Sequence, residues 1–526
     1  METSLPTDST VKSVIVVLGS IPIGLAVILL VWLAKVWIVP VPTRPTRNVV
    51  LLVLGDLGRS PRMMYHAKSF ADHGFQTTLV GFSEKGSNIL PSLLSLPNFQ
   101  SIVLPNPPKI LTKAPRSAFL VVGPLKVLFQ LVSILEVLLW KLEDPPEFIF
   151  VQNPPSIPTL AIAQLVCLVR GSKLIIDWHN LGYSILALKL GPDHTLVKIA
   201  KMFERIFGKN AYAHLFVTKA MRDWACKEWN LQGKKAVLHD RPPEHFHSCD
   251  PAETHDLFTR LFPTFPSNLK SFLPSTSLPR STPLTDLQSP STLSRTSASS
   301  FASVDPIPVF RGDRPAVLIS STSWTPDEDF SILLEALSLY EQTAREEGKG
   351  ERRLPKVVMV ISGKGPGRAQ FEKEVAERKE SEGWEFVRVW CCWVHVEDYP
   401  KLLGSADLGI SLHSSSSALD LPMKIVDMFG CGLPVCSLNF ACLSELVRDG
   451  QNGYVFSTAS ELASRLSELL RDFPSSAQST GRLSEFRQVI QGDQRRLGSW
   501  SSNWDRVVRP LVIKGTAGGV EVLSEA

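Results

Sequence analysis

The sequence predicts an α/β protein built from two doubly wound domains in tandem, and three observations lead there. Short runs of Val, Ile and Leu alternate with stretches of helical periodicity. Those runs are apolar throughout rather than at every second residue, which marks strands of parallel sheets covered on both faces. The alternation also runs twice, with a Ser/Thr/Pro-rich stretch between the two series. A chain of 526 residues, 44% hydrophobic and 20% charged, is long and apolar enough for two such cores. The net charge of +4 excludes a polybasic nucleic-acid binder, and the composition excludes a wholly disordered chain.

The first element is the uncharged run over residues 13–34 (SVIVVLGSIPIGLAVILLVWLA). At about 22 residues it is long enough to cross a hydrocarbon core of about 30 Å as a helix. The preceding residues carry Glu2 and Asp8, and no small-residue cleavage site follows. An uncleaved signal-anchor over 13–39, after a short lumenal N-terminus of 1–12, is therefore expected in preference to a cleaved signal peptide. Lys12 on one side stands against Lys35, Arg44 and Arg47 on the other, so the positive-inside bias places the bulk of the chain in the cytosol.

Strands are predicted over 48–54, 77–82, 147–151, 173–177 and 214–218, with helices over 61–73 and 157–170, giving an N-terminal Rossmann-like domain of 48–245. The apolar stretch 120–140 carries Lys126, Gln130, Ser133 and Glu136 on one stripe, which suits either a sheet-covering helix or one apposed to a membrane. Residues 263–308, rich in Ser, Thr and Pro, lack apolar periodicity and are expected to be a disordered insertion. The alternation restarts with strands over 316–320, 356–361, 385–389, 408–412 and 434–437 and helices over 326–346, 368–378, 398–405 and 421–429. These form a C-terminal Rossmann-like domain of 312–512, with a tail of 513–526. Two such domains would face each other across a cleft at the C-terminal ends of their strands, where ligands of this architecture bind.

The eight cysteines include no Cys-x-x-Cys pair and no metal-ligand spacing with His, so they read as buried thiols in a reducing compartment. The absence of any Asn-x-Ser/Thr acceptor agrees with a domain that is not lumenal.

The segment 413–435 (HSSSSALDLPMKIVDMFGCGLPV) is the most informative for chemistry. Asp420 before Pro422, or its neighbour, reads as the cap of a helix whose free N–H groups form an anion site. Lys424 and Asp427 follow at four and seven residues, on the same helix face. A cation and a helix dipole there suit a diphosphate, and a carboxylate further along suits ribose hydroxyls. At the end of another strand, Asp177, His179 and Asn180 face the expected cleft.

This block resembles the helix-Gly-x-Pro-Val element of GT-B type glycosyltransferases, which use nucleotide-diphosphate sugars. Asp427 matches the second acid of their Glu-x7-Glu pair, while the first falls on Leu419, one place from Asp420. Together with residues 405–413 (SADLGISLH), 322–329 (TSWTPDED), 177–180 (DWHN) and 240–246 (DRPPEHF), it is similar to the chitobiosyldiphosphodolichol β-mannosyltransferase family. The resemblance covers nearly the whole chain outside the Ser/Thr/Pro stretch. It implies transfer of mannose from GDP-mannose to the 4-hydroxyl of the outer GlcNAc of dolichyl-diphosphate chitobiose, with inversion, at the cytosolic face of the endoplasmic reticulum membrane, for protein N-glycosylation. Other dolichol-pathway mannosyltransferases are implied as partners. Transfer to another polyprenyl-diphosphate-linked acceptor, or a non-catalytic nucleotide-sugar-binding scaffold, are the alternatives.

Within that fold, residues 320–325, with Ser323, form a diphosphate-facing loop. Residues 325–328 read as a capping box, and the spacing of Asp327 and Asp329 is assigned to capping rather than to metal, because acids in a first helical turn suit the macrodipole. No metal and no cofactor are expected, GDP-mannose being the donor substrate. Lys364, in the turn 363–367, faces the nucleotide, and Trp393 either meets the purine or packs in the core. Arg59 and Arg62 beside a helix start either bind the acceptor diphosphate or are solvated surface arginines. Inversion requires one general base, for which His179, Asp177 and Asp56 are the candidates.

Overall fold

The computed structural model describes residues 47–83, 89–108, 119–288, 306–324, 328–348, 353–414, 417–474 and 481–513. The signal-anchor expected over 13–39 lies outside the described residues, as do the N-terminus of 1–12 and all but the first residue of the tail. Among the described residues, no helix is long and apolar enough to cross a membrane. The chain divides into two compact units, Met1–Leu238 with Trp504–Ala526, and His239–Asn503.

The first unit holds a seven-stranded sheet of β1 (Asn48–Asp56), β2 (Gln76–Phe82), β3 (Phe99–Val103), β4 (Phe148–Asn153), β5 (Lys173–Trp178), β6 (Asn210–Phe216) and β7 (Gln232–Val237). The order is β3-β2-β1-β4-β5-β6-β7, parallel throughout. Strand order reverses between β1 and β4, the switch point of a doubly wound sheet. Helices α1 (Pro61–Asp72), α2 (Phe119–Glu136), α3 (Thr159–Arg170), α4 (Gly182–Leu190), α5 (Thr195–Gly208) and α6 (Lys219–Trp229) accompany it. Pro61 opens α1 because a first-turn proline lacks only an N–H that no carbonyl would accept. On α2, Leu131, Ile134 and Leu135 are buried while Leu125, Leu128 and Val132 are exposed. The helix therefore covers the core with one face and leaves apolar side chains on the other.

The second unit holds a two-stranded antiparallel sheet of β8 (Thr285–Gln288) and β9 (Ile307–Phe310). Its main sheet comprises β10 (Ala316–Ser321), β11 (Val357–Ser362), β12 (Val387–Cys392), β13 (Leu408–Ser411), β14 (Val435–Leu438) and β15 (Gly453–Phe456). The order is β12-β11-β10-β13-β14-β15, again parallel and again reversing once, between β10 and β13. Alternate strand residues serve opposite faces. Leu318, Met359 and Ile361 join Leu333, Leu337 and Tyr340 in one core, while Val317, Ile319, Val358 and Val360 join Leu257, Phe258 and Met428 in the other. Burial on both faces explains why these strands read as unbroken apolar runs.

Three expectations are corrected. Residues 239–311 belong to the second unit, and 263–288 are folded rather than a disordered stretch. Phe265, Leu269, Phe272, Leu273 and Leu284 are buried in the second core, with Phe265 against Trp390 at 4.4 Å. These apolar residues are spaced irregularly, so the segment packs without showing a helical or strand period. The remainder of the stretch, 289–305, lies outside the described residues. The strand expected over 385–389 instead runs from Val387 to Cys392, which places Trp393 directly after it.

Candidate functional site

In the second unit, the candidate donor residues gather at the C-terminal ends of the strands. After β10 the chain passes through Thr322, Ser323 and Trp324, and after β11 through Gly363, Lys364 and Gly365. These two loops touch backbone to backbone. A Cβ on Gly363 would stand 1.8 Å from Thr322 O, and one on Gly365 2.0 Å from Ser323 O, so only glycine permits the approach. Trp324 adopts φ 55° in the same loop, and Ala418 φ 58° ahead of the next helix. Such strain in non-glycine residues concentrates at functional sites. Trp324 is held by a backbone N–H donated to Thr322 Oγ1 (2.7 Å) and an indole N–H donated to Gly363 O (3.3 Å).

Glu328 organises this end of the sheet. It is buried, and accepts from Thr322 Oγ1 and from Lys424 Nζ, each at 2.5 Å. Lys424 belongs to helix α10, numbered after α7 (Pro251–Leu261), α8 (Phe330–Glu347) and α9 (Arg368–Glu382), and spanning Met423–Gly430. The helix starts after Pro422 with no side-chain cap, so Asp420 is not its cap. Asp420 instead accepts from Ser417 Oγ (3.2 Å) and stands 3.9 Å from His413 Nε2, before the helix rather than on one face with Lys424 and Asp427. The capping box expected over 325–328 is also corrected. Asp329 caps α8, accepting from Ser331 N at 2.9 Å, and 325–327 lie outside the described residues.

Asp427, one turn beyond Lys424, is held by burial and by the charge of Asp240 at a raised pKa of about 7. Gly430 closes α10 against the 240–246 loop, where its Cβ would lie 2.5 Å from Pro242. Nearby, Tyr399 Oη donates to Ser321 Oγ at 2.9 Å. Trp393 is 59% exposed with Lys364 Nζ 4.4 Å from its ring centroid, so the ring is a surface platform and not part of the core.

In the first unit, Asp177 and His179 share one side of the end of β5, as the two-residue strand period requires. His179 Nε2 lies 2.7 Å from Asp177 Oδ2. Asp177 is wholly buried and takes a bidentate pair from Arg62, Nε to Oδ2 at 2.8 Å and Nη2 to Oδ1 at 2.9 Å. His66 Nε2 stands 3.3 Å from the same Oδ2. Burial alone would raise this carboxyl, but Arg62, His179 and His66 outweigh it and hold it well below the usual range.

The proton positions follow from the donors available. Trp504 donates its indole N–H to His66 Nδ1 at 3.1 Å. An indole only donates, so His66 keeps its proton on Nε2, toward Asp177. Burial lowers His66 to a pKa of about 4, so it stays neutral. His179 likewise directs Nε2–H at Asp177, which leaves Nδ1 to accept a proton. This pairing suits a general base oriented by a carboxylate.

The other first-unit candidates separate. Arg62 is 4% exposed and its Nη1 also donates to Leu238 O at 2.9 Å, so it is structural and not a ligand for an acceptor diphosphate. Arg59 remains at the surface, with Nε 3.7 Å from Asp56 Oδ2. Asp56 caps the short turn after β1, accepting from Gly58 N at 3.0 Å, which ties it to a structural role. Among the described residues, His247, Cys249 and Glu253 bring possible metal-ligand atoms within 4.8 Å of one another. Local bonds engage each of them: His247 meets Glu253 at 2.9 Å, Glu253 completes the capping box of α7, and Cys249 donates to Lys401 O. The sequence reading missed Glu328, Asp240, His66 and Trp504. Only the first two sit in motifs it had singled out.

A family model described as "Glycosyl transferases group 1" matches residues 314–472. A chitobiosyldiphosphodolichol beta-mannosyltransferase of Mus musculus is 43% identical over 93% of this chain and 94% of its own length. The Homo sapiens protein of the same name is 40% identical over 89% and 93%. An Arabidopsis thaliana protein named UDP-glycosyltransferase TURAN is 38% identical over 88% and 96%. Among solved structures, sucrose-phosphate synthase from Thermosynechococcus elongatus aligns with a TM-score of 0.54 at 13% identity, over 87% of this chain and 96% of that one. Anabaena Alr3699/HepE in complex with UDP and glucose aligns at 0.52 and 15%, over 87% and 97%. These structural likenesses establish the GT-B fold.

Proposed function

Because the chain belongs to the chitobiosyldiphosphodolichol beta-mannosyltransferase family, we propose that it moves mannose from GDP-mannose to the 4-hydroxyl of the outer GlcNAc of dolichyl-diphosphate chitobiose, with inversion. The observation that carries the catalytic part is the His179–Asp177 pair. His179 Nδ1 accepts the proton of the acceptor hydroxyl as that oxygen attacks the anomeric carbon and the bond to the GDP oxygen breaks. Asp177, kept ionised by Arg62 and His66, holds the imidazole in the required tautomer and stabilises the imidazolium that forms.

On the donor side, Lys424 and the uncapped start of α10 meet the developing charge on the leaving diphosphate. Glu328 sets the position of Lys424. Asp427 accepts from the ribose hydroxyls, and Trp393 with Lys364 forms the platform for the guanine. With diphosphate charge answered by a helix start and a lysine, the reaction proceeds without a metal. Residues 13–39 anchor the chain once in the endoplasmic reticulum membrane, with both units cytosolic.

The test is incubation of the solubilised protein with GDP-mannose and phytanyl-diphosphate chitobiose, followed by linkage analysis. A β-1,4-mannosylated product is expected. Nucleotide binding without any product would favour the scaffold reading, and transfer only to a different polyprenyl-linked sugar would redirect the acceptor assignment.

A further inference from the structure

The first unit bears an apolar surface that the chemistry above does not use. Helix α4 begins three residues after His179, and α5 packs against it as the second arm of a hairpin. The inner side is firmly fixed. Buried Glu204 of α5 accepts from Gly182 N (2.8 Å), Tyr183 N (3.2 Å) and Asn153 Nδ2 (2.9 Å), tying both helices to the end of β4.

The outer side is unusual for a soluble surface. Ile185, Leu188 and Leu190 of α4, and Leu196, Met202 and Ile206 of α5, are all exposed, Leu188 by 63%, Met202 by 57% and Ile206 by 53%. On α5, positions 198, 201, 202, 205 and 206 repeat at three and four residues and form one stripe. Its apolar ridge, Met202 and Ile206, runs beside the basic ridge of Lys198, Lys201 and Arg205, and Lys189 adds a further cation from α4. Asp193 is the one exposed acid between residues 182 and 208.

We propose that the α4–α5 hairpin seats on an anionic lipid bilayer. Its leucine, isoleucine and methionine side chains enter the interface, and Lys189, Lys198, Lys201 and Arg205 meet the phosphate headgroups. The charge selects this occupant. A second copy of the same face would oppose cation to cation, whereas an anionic bilayer satisfies the apolar and basic ridges together. Long basic side chains reach outward to headgroups while their stems lie along the apolar ridge. The proposal rests on the lipid-linked acceptor proposed above. A hairpin that starts beside His179 keeps the candidate base close to the membrane surface from which such an acceptor presents its sugar.

The full-length protein is placed in nanodiscs of phosphatidylcholine, with or without phosphatidylserine, carrying a lipid-borne photoactivatable diazirine. The labelled peptides are then mapped by mass spectrometry. Peptides covering 182–208 are expected to label several-fold more with the anionic lipid, and K201Q/R205Q is expected to remove that difference. M202S/I206S is expected to raise KM for a dolichyl-linked acceptor in anionic nanodiscs about tenfold, while leaving KM for GDP-mannose and kcat on a water-soluble short-chain acceptor unchanged. Absence of label at 182–208 while other peptides label, equal labelling in both lipids, or an unchanged acceptor KM would each overturn the proposal. Protein–protein cross-links between two copies of 182–208 would do so as well. Failure on every acceptor with lipid labelling intact would reject the proposed function and leave the bilayer contact standing.

Discussion

Trp504→Phe probes the support of the candidate base most sharply. The substitution keeps an aromatic ring where Trp504 meets Phe70 edge-on at 5.1 Å, but removes the indole N–H that donates to His66 Nδ1. His66 and Trp504 are both fully buried, so losing this hydrogen bond costs about 1–3 kcal/mol. The smaller ring adds about 1 kcal/mol of lost packing. Together these lower Tm by about 5–12 °C. The functional effect is separate. Without the indole, His66 can carry its proton on Nδ1 and turn a lone pair toward Asp177 Oδ2, which weakens the network that orients His179. A five- to tenfold fall in kcat is expected, about 1–1.4 kcal/mol of transition-state stabilisation, with GDP affinity unchanged. The assay is a double-mutant cycle with His66→Asn, read in kcat below both unfolding transitions. If Trp504 acts through His66, the second substitution adds little to the first. Additive losses in kcat, or equal losses in GDP affinity, would refute the reasoning.

Asp427 supplies a pH signature. Its pKa is raised to about 7, so it is neutral below that pH and becomes a carboxylate above it, the form that the proposed contact with the ribose hydroxyls requires. GDP affinity should therefore strengthen from pH 6 to 8, and isothermal titration should find that Asp427→Asn both weakens binding and flattens this dependence. Glu328→Ala frees Lys424 and removes the acceptor of Thr322 Oγ1. The expected result is a loss of kcat/KM of about tenfold to a hundredfold, corresponding to about 1.4–2.7 kcal/mol; activity within twofold of the parent would show that Lys424 needs no such partner. Leu269→Ala, within the stretch that reads as disordered, should destabilise the second unit by about 2–5 kcal/mol in denaturant unfolding, because Leu269 is 1% exposed. A change under 0.5 kcal/mol would contradict the packing described.

The fold was legible because a strand buried on both faces leaves a direct imprint. Val317, Leu318 and Ile319 serve two cores in turn, and no polar residue interrupts them. The grouping of Asp177 with His179 was legible for a similar reason, since a strand end fixes both side chains to one side. Arg62 was misread because its partner lies 115 positions away, and a sequence shows a charge without showing what neutralises it. Glu328 was passed over beside two acids that suit a helix start, and only burial against Lys424 from 96 positions away distinguishes it. Asp420 met the composition rule for a cap, yet the chain enters its helix two residues later, through Pro422. Residues 263–288 escaped notice because irregularly spaced Phe and Leu carry no period, even though they fill a core.

The return of the chain from the second unit to the first at Trp504 has a consequence for synthesis. A ribosome releases every residue of the second unit, and nearly all of the first, before the indole that fixes the proton of His66 emerges. Nascent chains therefore assemble the cations and carboxylates expected to grip a nucleotide sugar earlier than they complete the surroundings of the candidate base. Products of premature termination just ahead of Trp504 would keep His239–Asn503 and lack the indole that fixes the proton of His66. Integrity of the segment that carries Trp504 thus becomes a condition on the proposed turnover rather than on donor capture.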